Sequence, residues 1–408
     1  MISQKREDVQ AKETIYTYEL STGLHLMVVP RPGYHKVYAT YATHYGSIDN
    51  EFLVPATGKR VKVPDGIAHF LEHKMFAQPD GSDAFDAFAQ LGASSNAYTD
   101  YTSTTFLFSA TEHWAKALEI LLDFVQTPYF TEENVAKEQG IIEQEIRMYW
   151  DMPGDRAHSN LMAALYHHHP LRLDIAGTVD SIQKITPQTL YQCYETFYHP
   201  SNMAVVVIGD VDPENVARLV ESRQLARGLT SQSAIERFFP AEPKTVRQAY
   251  VQKIMPVSAP LMLMGYKDDA RDLSGAALVR QEAAMNMLWA LSVGTSSDLY
   301  DELYQAGLIN RHFSAHYTAG ETFGVSVLGG ETPDPAQLAE VLSRRLPHAP
   351  LGEAALERIK RREMGNFVGL FQNPDDLAYT LNQWAFRGAD LFAYPALIES
   401  ITLEDLRQ

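Results

Sequence analysis

Asp65-Gly66-Ile67-Ala68-His69-Phe70-Leu71-Glu72-His73 sets two histidines four residues apart, with a glutamate at the third step. On an α-helix, positions i, i+3 and i+4 share one face, so these three side chains point toward one place. Two neutral imidazoles suit a zinc ion, and a carboxylate beside them that is not a ligand suits a general base. Pro64-Asp65-Gly66 marks the start of this helix, with Asp65 as its expected N-cap. Histidines at this spacing also occur on ordinary helices, so a metal site needs a third protein ligand from elsewhere in the chain.

The 408 residues around this string are long for one domain and comfortable for two or three. A composition of 45% hydrophobic, 21% charged and 11% aromatic residues is that of a soluble globular protein. An excess of 51 acidic over 34 basic residues, a net charge of −17, argues against nucleic acid or an anionic membrane as partner. Cys193 is the single cysteine, which excludes an internal disulfide, and between Gln192 and Tyr194 it reads as a small buried hydrophobe. Met1-Ile2-Ser3-Gln4-Lys5-Arg6-Glu7-Asp8 is too polar for a signal peptide, and no apolar run approaches the roughly 18 residues of a bilayer span. The expected compartment is a reducing cytoplasm.

Upstream of the motif, Ile15 to Leu20, Leu24 to Val29 and Val37 to Tyr45 alternate as strands do. Downstream, a short helix from Ser82 stops at Gly92, and Ser94 to Tyr98 and Thr104 to Ser109 read as strands. Helices follow from Glu112 to Phe124 and, capped by Thr131, to about Trp150. Met203 to Ile208 is a further strand, turning through Asp212-Pro213 into a helix. Strands and helices thus alternate in an α+β manner. Gly, Ser, Thr and Pro dominate from Ala226 to Lys244, which marks a linker at 226–245 between a domain over 1–225 and a second over 246–408. Val325 to Gly330, leading through Asp334-Pro335 into an Ala/Leu-rich helix, echoes Val205 to Val216 and suggests that the domains are related.

The third ligand is sought in Glu138-Gln139-Gly140-Ile141-Ile142-Glu143-Gln144-Glu145-Ile146-Arg147-Met148. Glu138 and Glu145 lie two turns apart and share a face, whereas Glu143 is rotated toward solvent. Together, Asp65 to His73, Asn96-Ala97-Tyr98-Thr99, Glu138 to Met148 with Pro153, and Phe197-Tyr198-His199-Pro200-Ser201-Asn202-Met203 resemble the pitrilysin/insulinase-like zinc peptidases. They are most similar to the bacterial branch related to the mitochondrial processing peptidase, whose His-x-x-Glu-His string reverses the commoner His-Glu-x-x-His order.

This resemblance implies two similar α+β domains, each a mostly antiparallel sheet with helices packed on it, the first catalytic and the second not. It implies one Zn²⁺ per chain held by His69, His73 and Glu145, with Glu72 activating a zinc-bound water and Glu138 supporting the ligands from behind. Asn96, Ala97 and Tyr98 would form an edge strand that pairs with a peptide main chain. The implied activity is that of a metalloendopeptidase acting on peptides or unfolded segments in an enclosed chamber, as a homodimer or a heterodimer with a related chain. A non-catalytic or partner-dependent subunit of the same fold is the alternative. It draws on one departure: Tyr304 and Asn310 stand where the family places an arginine and a tyrosine, leaving Arg311 or Tyr317 to compensate. His167-His168-His169-Pro170 reads as a helix end, and Asp268-Asp269 and Asp375-Asp376 as solvated turns.

Overall fold

The computed structural model describes residues 2–8, 12–228, 232–268 and 273–407. Its strands are β1 (Ile2–Asp8), β2 (Glu13–Glu19), β3 (His25–Pro30), β4 (Val37–Thr43), β5 (Glu51–Val54), β6 (Lys59–Lys62), β7 (Ser94–Thr99), β8 (Thr104–Ala110), β9 (Met203–Gly209), β10 (Leu261–Asp268), β11 (Ser314–Gly320) and β12 (Phe323–Glu331). The helices are α1 (Ile67–Met75), α2 (Ala84–Gln90), α3 (Trp114–Val125), α4 (Glu132–Asp151), α5 (Pro153–Leu165), α6 (Val179–Ile182), α7 (Pro187–Phe197) and α8 (Pro213–Ala226) in the first half. In the second half they are α9 (Gly275–Val293), α10 (Asp298–Gln305), α11 (Pro335–Arg345), α12 (Glu353–Leu370), α13 (Pro374–Arg387) and α14 (Tyr394–Ser400). Among the described residues no helix is long and apolar enough to cross a membrane.

The chain forms two compact units. One comprises Met1–Arg147, Leu173–Phe239 and Leu370–Phe386; the other comprises Met148–Arg172, Pro240–Gly369 and Arg387–Gln408. The first is built on a seven-stranded sheet in the order β1-β2-β3-β9-β4-β8-β7. Its centre is set by composition. Met-Ala-Val-Val-Val-Ile-Gly in β9 and Val-Tyr-Ala-Thr-Tyr-Ala-Thr in β4 are buried along their whole length, as strands covered on both faces must be. β7, with Ser94, Ser95 and Asn96, carries too few apolar side chains for the interior and forms an edge. Phe70 and Leu71 of α1 pack into the same core as Tyr41, Phe106, Phe108 and Phe197, which fixes the face that α1 leaves for chemistry. The segment from α13 joins this unit, where Asn382 donates to Thr40 Oγ1 (2.9 Å) and Gln383 to Asp100 Oδ2 (3.0 Å).

In the second unit β10, β12 and β11 form an antiparallel sheet in that order. α9 lies against it, burying Leu278 and Trp289, and Trp289 Nε1 donates to Ser326 Oγ at 2.8 Å. Apart from the β5–β6 hairpin inserted after β4, the succession β10-α9-α10-β11-β12-α11-α12 repeats β4-α1-α2-β7-β8-α3-α4. β12 therefore answers to β8, between two antiparallel neighbours, and not to β9, which runs parallel to β3. The sequence echo of Val205–Val216 in Val325–Leu338 is local: Asp212 and Asp334 each cap a helix by accepting from a backbone N–H three residues on. Strand–turn–helix units share that signal wherever they sit in a sheet.

Asp65 does not cap α1. Gly66 holds the N-cap position with φ 88°, and a Cβ there would lie 2.3 Å from the Ala176 carbonyl oxygen. Asp65 instead accepts from Asn50 Nδ2 (3.1 Å), and its carbonyl from Ser181 Oγ (2.8 Å). Of the segment 226–245, residues 229–231 lie outside the described residues. Arg237 is built into the first unit, its guanidinium on Asp49 (2.9 Å) and over the Phe197 ring.

Candidate metal centre

α1 buries Ile67, Phe70, Leu71 and Met75, and this turns His69, Glu72 and His73 to one side together. α4 buries Val135, Ile142 and Ile146, and the neighbouring stripe carries Glu138 and Glu145. Gln139 pins α4 by donating to the carbonyls of Ile182 and Ile185. Glu143 faces away and pairs with Arg147 at 2.7 Å. The two carboxylates that share the α4 face thus meet the two α1 histidines, and the third acidic residue does not.

His69 Nε2 stands 3.6 Å from Glu145 Oε1, and His73 Nε2 3.4 Å from Glu145 Oε2. These gaps are too long for hydrogen bonds. They match the edge of a tetrahedron whose arms are the roughly 2.0–2.1 Å of zinc–nitrogen and zinc–oxygen bonds, an edge of about 3.4 Å. Among the described residues these three form the group of His, Cys, Asp or Glu close enough to share one ion. Glu145 Oε2 is buried without a hydrogen-bond partner, as an oxygen kept for a cation would be. Three ligands with a fourth position left for water is the arrangement of a catalytic rather than a structural zinc. The donor set fits the metal.

Behind the ligands, Glu138 Oε1 meets His73 Nδ1 at 3.1 Å, leaving Nε2 toward Glu145. Lys74, buried on the same helix, reaches Glu138 Oε2 at 3.4 Å. Burial pushes Glu138 up, but the His73 hydrogen bond and the Lys74 charge outweigh it and hold the carboxyl below its ordinary range. Burial, with His73 as a second charge beside it, lowers His69 to about 3, so its imidazole is neutral. Burial opposes protonation of His73 too, yet the Glu138 hydrogen bond and the carboxylates around it win and raise its pKa.

Glu72 is buried, and burial raises its pKa in spite of the hydrogen bond it accepts from Thr99 Oγ1 at 2.7 Å. Thr99 closes β7, so one side chain joins Glu72 to the edge strand. Asn96, Ala97 and Tyr98 lie on that strand and pair inward with Leu107, Phe106 and Thr105 of β8. Asn96 is exposed, its Oδ1 accepting from Ala97 N at 2.9 Å. Thr99 and Lys74 are the two site residues that sequence reading passed over. Thr99 ends the edge strand and Lys74 follows the second histidine, but neither spacing carries a signal.

In the second unit Tyr304 is exposed on α10, and Asn310 donates to Glu331 at 2.9 Å. Tyr317 is buried, and its hydroxyl donates to Asp268 Oδ2 at 2.8 Å. Asp268 is exposed as expected but ends β10 instead of a turn and accepts from Tyr317, and Asp269 lies outside the described residues. Asp375 and Asp376 are exposed in the first turn of α13. At the end of α5 the backbone N–H groups of His167, His168 and His169 all donate to the Glu242 carboxylate at 2.8–2.9 Å. Lys267 binds the same carboxylate at 2.6 Å.

The chain matches the model of the insulinase family (peptidase family M16) over residues 53–179 and that of the M16 inactive domain over 184–362. It is 43% identical over 400 residues to YmfH of Bacillus subtilis (strain 168), named an uncharacterised zinc protease; this spans 98% of the chain and 93% of the relative. Among solved structures, an M16-like peptidase from Alicyclobacillus acidocaldarius is 38% identical with a TM-score of 0.92, over 100% of this chain and 94% of that one. A Helicobacter pylori protease shares the fold at a TM-score of 0.76 and 21% identity, over 96% of this chain and 94% of its own.

Proposed function

Because this chain belongs to the insulinase (M16) family of peptidases, we propose that it is a zinc-dependent endopeptidase cutting peptides or unfolded segments, one Zn²⁺ per chain. The observation that carries this reading is the 3.4–3.6 Å spacing of His69, His73 and Glu145, which would hold the metal. Bound zinc would supply a water of lowered pKa and polarise the scissile carbonyl. Glu72 takes the proton from the attacking water and returns it to the leaving amine. Its raised pKa suits both halves of that exchange. Thr99 fixes one carboxylate oxygen and leaves the other for the proton. Glu138 sets the tautomer of His73 from behind.

A substrate main chain would add to the outer edge of β7 at Asn96, Ala97 and Tyr98, a mode that reads backbone more than side chains. In this reading the domain over 1–225 is catalytic and the one over 246–408 is not. A lone buried Cys193 suits a reducing cytoplasm. The second reading, a non-catalytic or partner-dependent subunit of the same fold, draws on Tyr304 and Asn310 standing where the resemblance places an arginine and a tyrosine. Metal content measured beside hydrolysis of a mixed peptide library tests the proposal. Stoichiometric zinc, cleavage by the wild type and none by Glu72→Gln is the expected result. Cleavage by a metal-free Glu72→Gln preparation overturns it, and bound zinc without cleavage by the purified chain favours the partner-dependent reading.

A further inference from the structure

α13 comes late in the sequence, yet residues 370–386 belong to the first unit. One stripe of this helix lies on the sheet. Asn382 donates to Thr40 Oγ1, the Phe386 ring stacks on His44 at 5.1 Å, and the Tyr379 ring stands 6.2 Å from that of Tyr98. Side chains alternate along a strand, so Tyr98 turns to α13 while its neighbour Thr99 turns to Glu72 of α1. β7 is therefore held between the helix that carries Glu72 and a helix from the second half of the sequence.

Between β7 and β8 the chain reverses through Asp100-Tyr101-Thr102-Ser103. Asp100 Oδ1 accepts from the backbone N–H of Thr102 (2.7 Å) and of Ser103 (2.6 Å), and its Oδ2 from Ser103 Oγ (2.9 Å). The N–H groups of Ser47 and Ile48 hold the carbonyls of Asp100 and Tyr101. Gln383, buried on α13, grips the polar side chains of the turn with both ends of its amide. Its Nε2 donates to Asp100 Oδ2 and to Ser103 Oγ, each at 3.0 Å, and its Oε1 lies 3.5 Å from Thr102 Oγ1. Thr99 and Thr104 are the two ends of the turn, paired across the ladder. Thr104 is tied to the Tyr45 carbonyl at 2.9 Å, so a shift of the turn falls on Thr99 and on its 2.7 Å bond to Glu72.

We propose that Gln383 is a positioning residue for peptide hydrolysis: by clamping the 100–103 turn it keeps the Thr99 hydroxyl on Glu72. The inference rests on the reading of Glu72 as the base, and it adds a residue from beyond position 245 to the working parts of the first unit. Glutamine suits the task because its amide offers two donors and an acceptor at one tip. Asp100 Oδ2 and Ser103 Oγ take the two donors.

Gln383→Met keeps the length of the side chain and removes both ends of the clamp. Gln383→Glu sets a second carboxylate against Asp100, and adding Asp100→Asn exchanges donor and acceptor and restores the contact. For each full-length variant, kcat and KM on a fluorogenic peptide are measured with zinc content, and amide exchange of 99–104 is followed in the metal-free chain. Gln383→Met and Gln383→Glu should each speed exchange in 100–103 and lower kcat about tenfold, with KM and zinc unchanged, and the exchanged pair should recover both. On a Thr99→Val background Gln383→Met should cost no further activity, because the bond it protects is already gone. A further tenfold loss on that background, an effect carried by KM alone, or no recovery in the exchanged pair overturns the proposal. If the wild type cuts no peptide, the reading of Glu72 as base fails separately, and amide exchange decides the clamp. Faster exchange in Gln383→Met that the exchanged pair reverses upholds it, and unchanged exchange overturns it.

Discussion

Replacing Glu138 by glutamine, alone and together with Lys74→Met, separates two jobs that one carboxylate performs. Its Oε1 orients His73 through Nδ1 at 3.1 Å, and its Oε2 balances the Lys74 ammonium at 3.4 Å. Glutamine keeps the shape and still accepts from His73, but the bond loses its charge and with it about half its strength. Partners behind a metal-bound histidine typically carry about 10–100-fold in metal affinity, which is roughly 1.4–2.7 kcal/mol. The Lys74 side chain is only 4% exposed, so Glu138→Gln also strands a buried charge. That cost is about 3–5 kcal/mol of fold stability.

Lys74→Met removes the stranded charge and keeps the bulk of the side-chain stem. The double variant should therefore recover most of the stability and none of the zinc affinity. Urea unfolding of the metal-free chain reads the first quantity, and titration against a competing chelator reads the second. If the double variant regains wild-type zinc affinity, Glu138 acts through Lys74 and not by orienting His73. If the single variant binds zinc as the wild type does, Glu138 does not support the metal through His73 at all.

Thr99→Val, which keeps the shape and removes the donor to Glu72, should lower kcat by about tenfold or more with zinc content unchanged; steady-state cleavage of a fluorogenic peptide checks it. Glu242→Gln should cost stability at neutral pH, about 1–2 kcal/mol once solvent screening of this partly exposed pair is allowed for. Burial pushes this carboxyl up, but Lys267 and the three histidine N–H groups bring it down from 4.5 to about 2. A lowered carboxylate stabilises above its unfolded pKa, so the gap between wild type and variant should close as pH falls from about 4.5 to about 2. Urea midpoints across that range would show a constant gap if the nest of N–H groups did not favour the charged form. Gly66→Ala should lower the melting temperature and the zinc content together, because alanine at φ 88° is strained and its Cβ meets the Ala176 carbonyl.

Much of the site was legible in the linear order because a helix converts spacing into direction. His69, Glu72 and His73 at steps of three and four, and Glu138 and Glu145 at seven, each lie on one face whatever surrounds the helix. Strand identity was legible for a similar reason, since Val205-Val206-Val207 suits an interior strand and Ser94-Ser95-Asn96 an edge. The cap of α1 was misread because its glycine answers a close approach by Ala176, more than a hundred residues away. Nothing local reveals that Asp268 holds the Tyr317 hydroxyl.

Local periodicity alone decided which side chains travel together: the two histidines with their glutamate, and the paired carboxylates of α4. Only tertiary packing decided that these two faces meet 3.4–3.6 Å apart, that Thr99 reaches Glu72, and that β9 enters between β3 and β4. Backbone geometry sets direction over a few residues, whereas distances between distant segments are set by how the apolar faces of α1, α4 and the sheet fill one core.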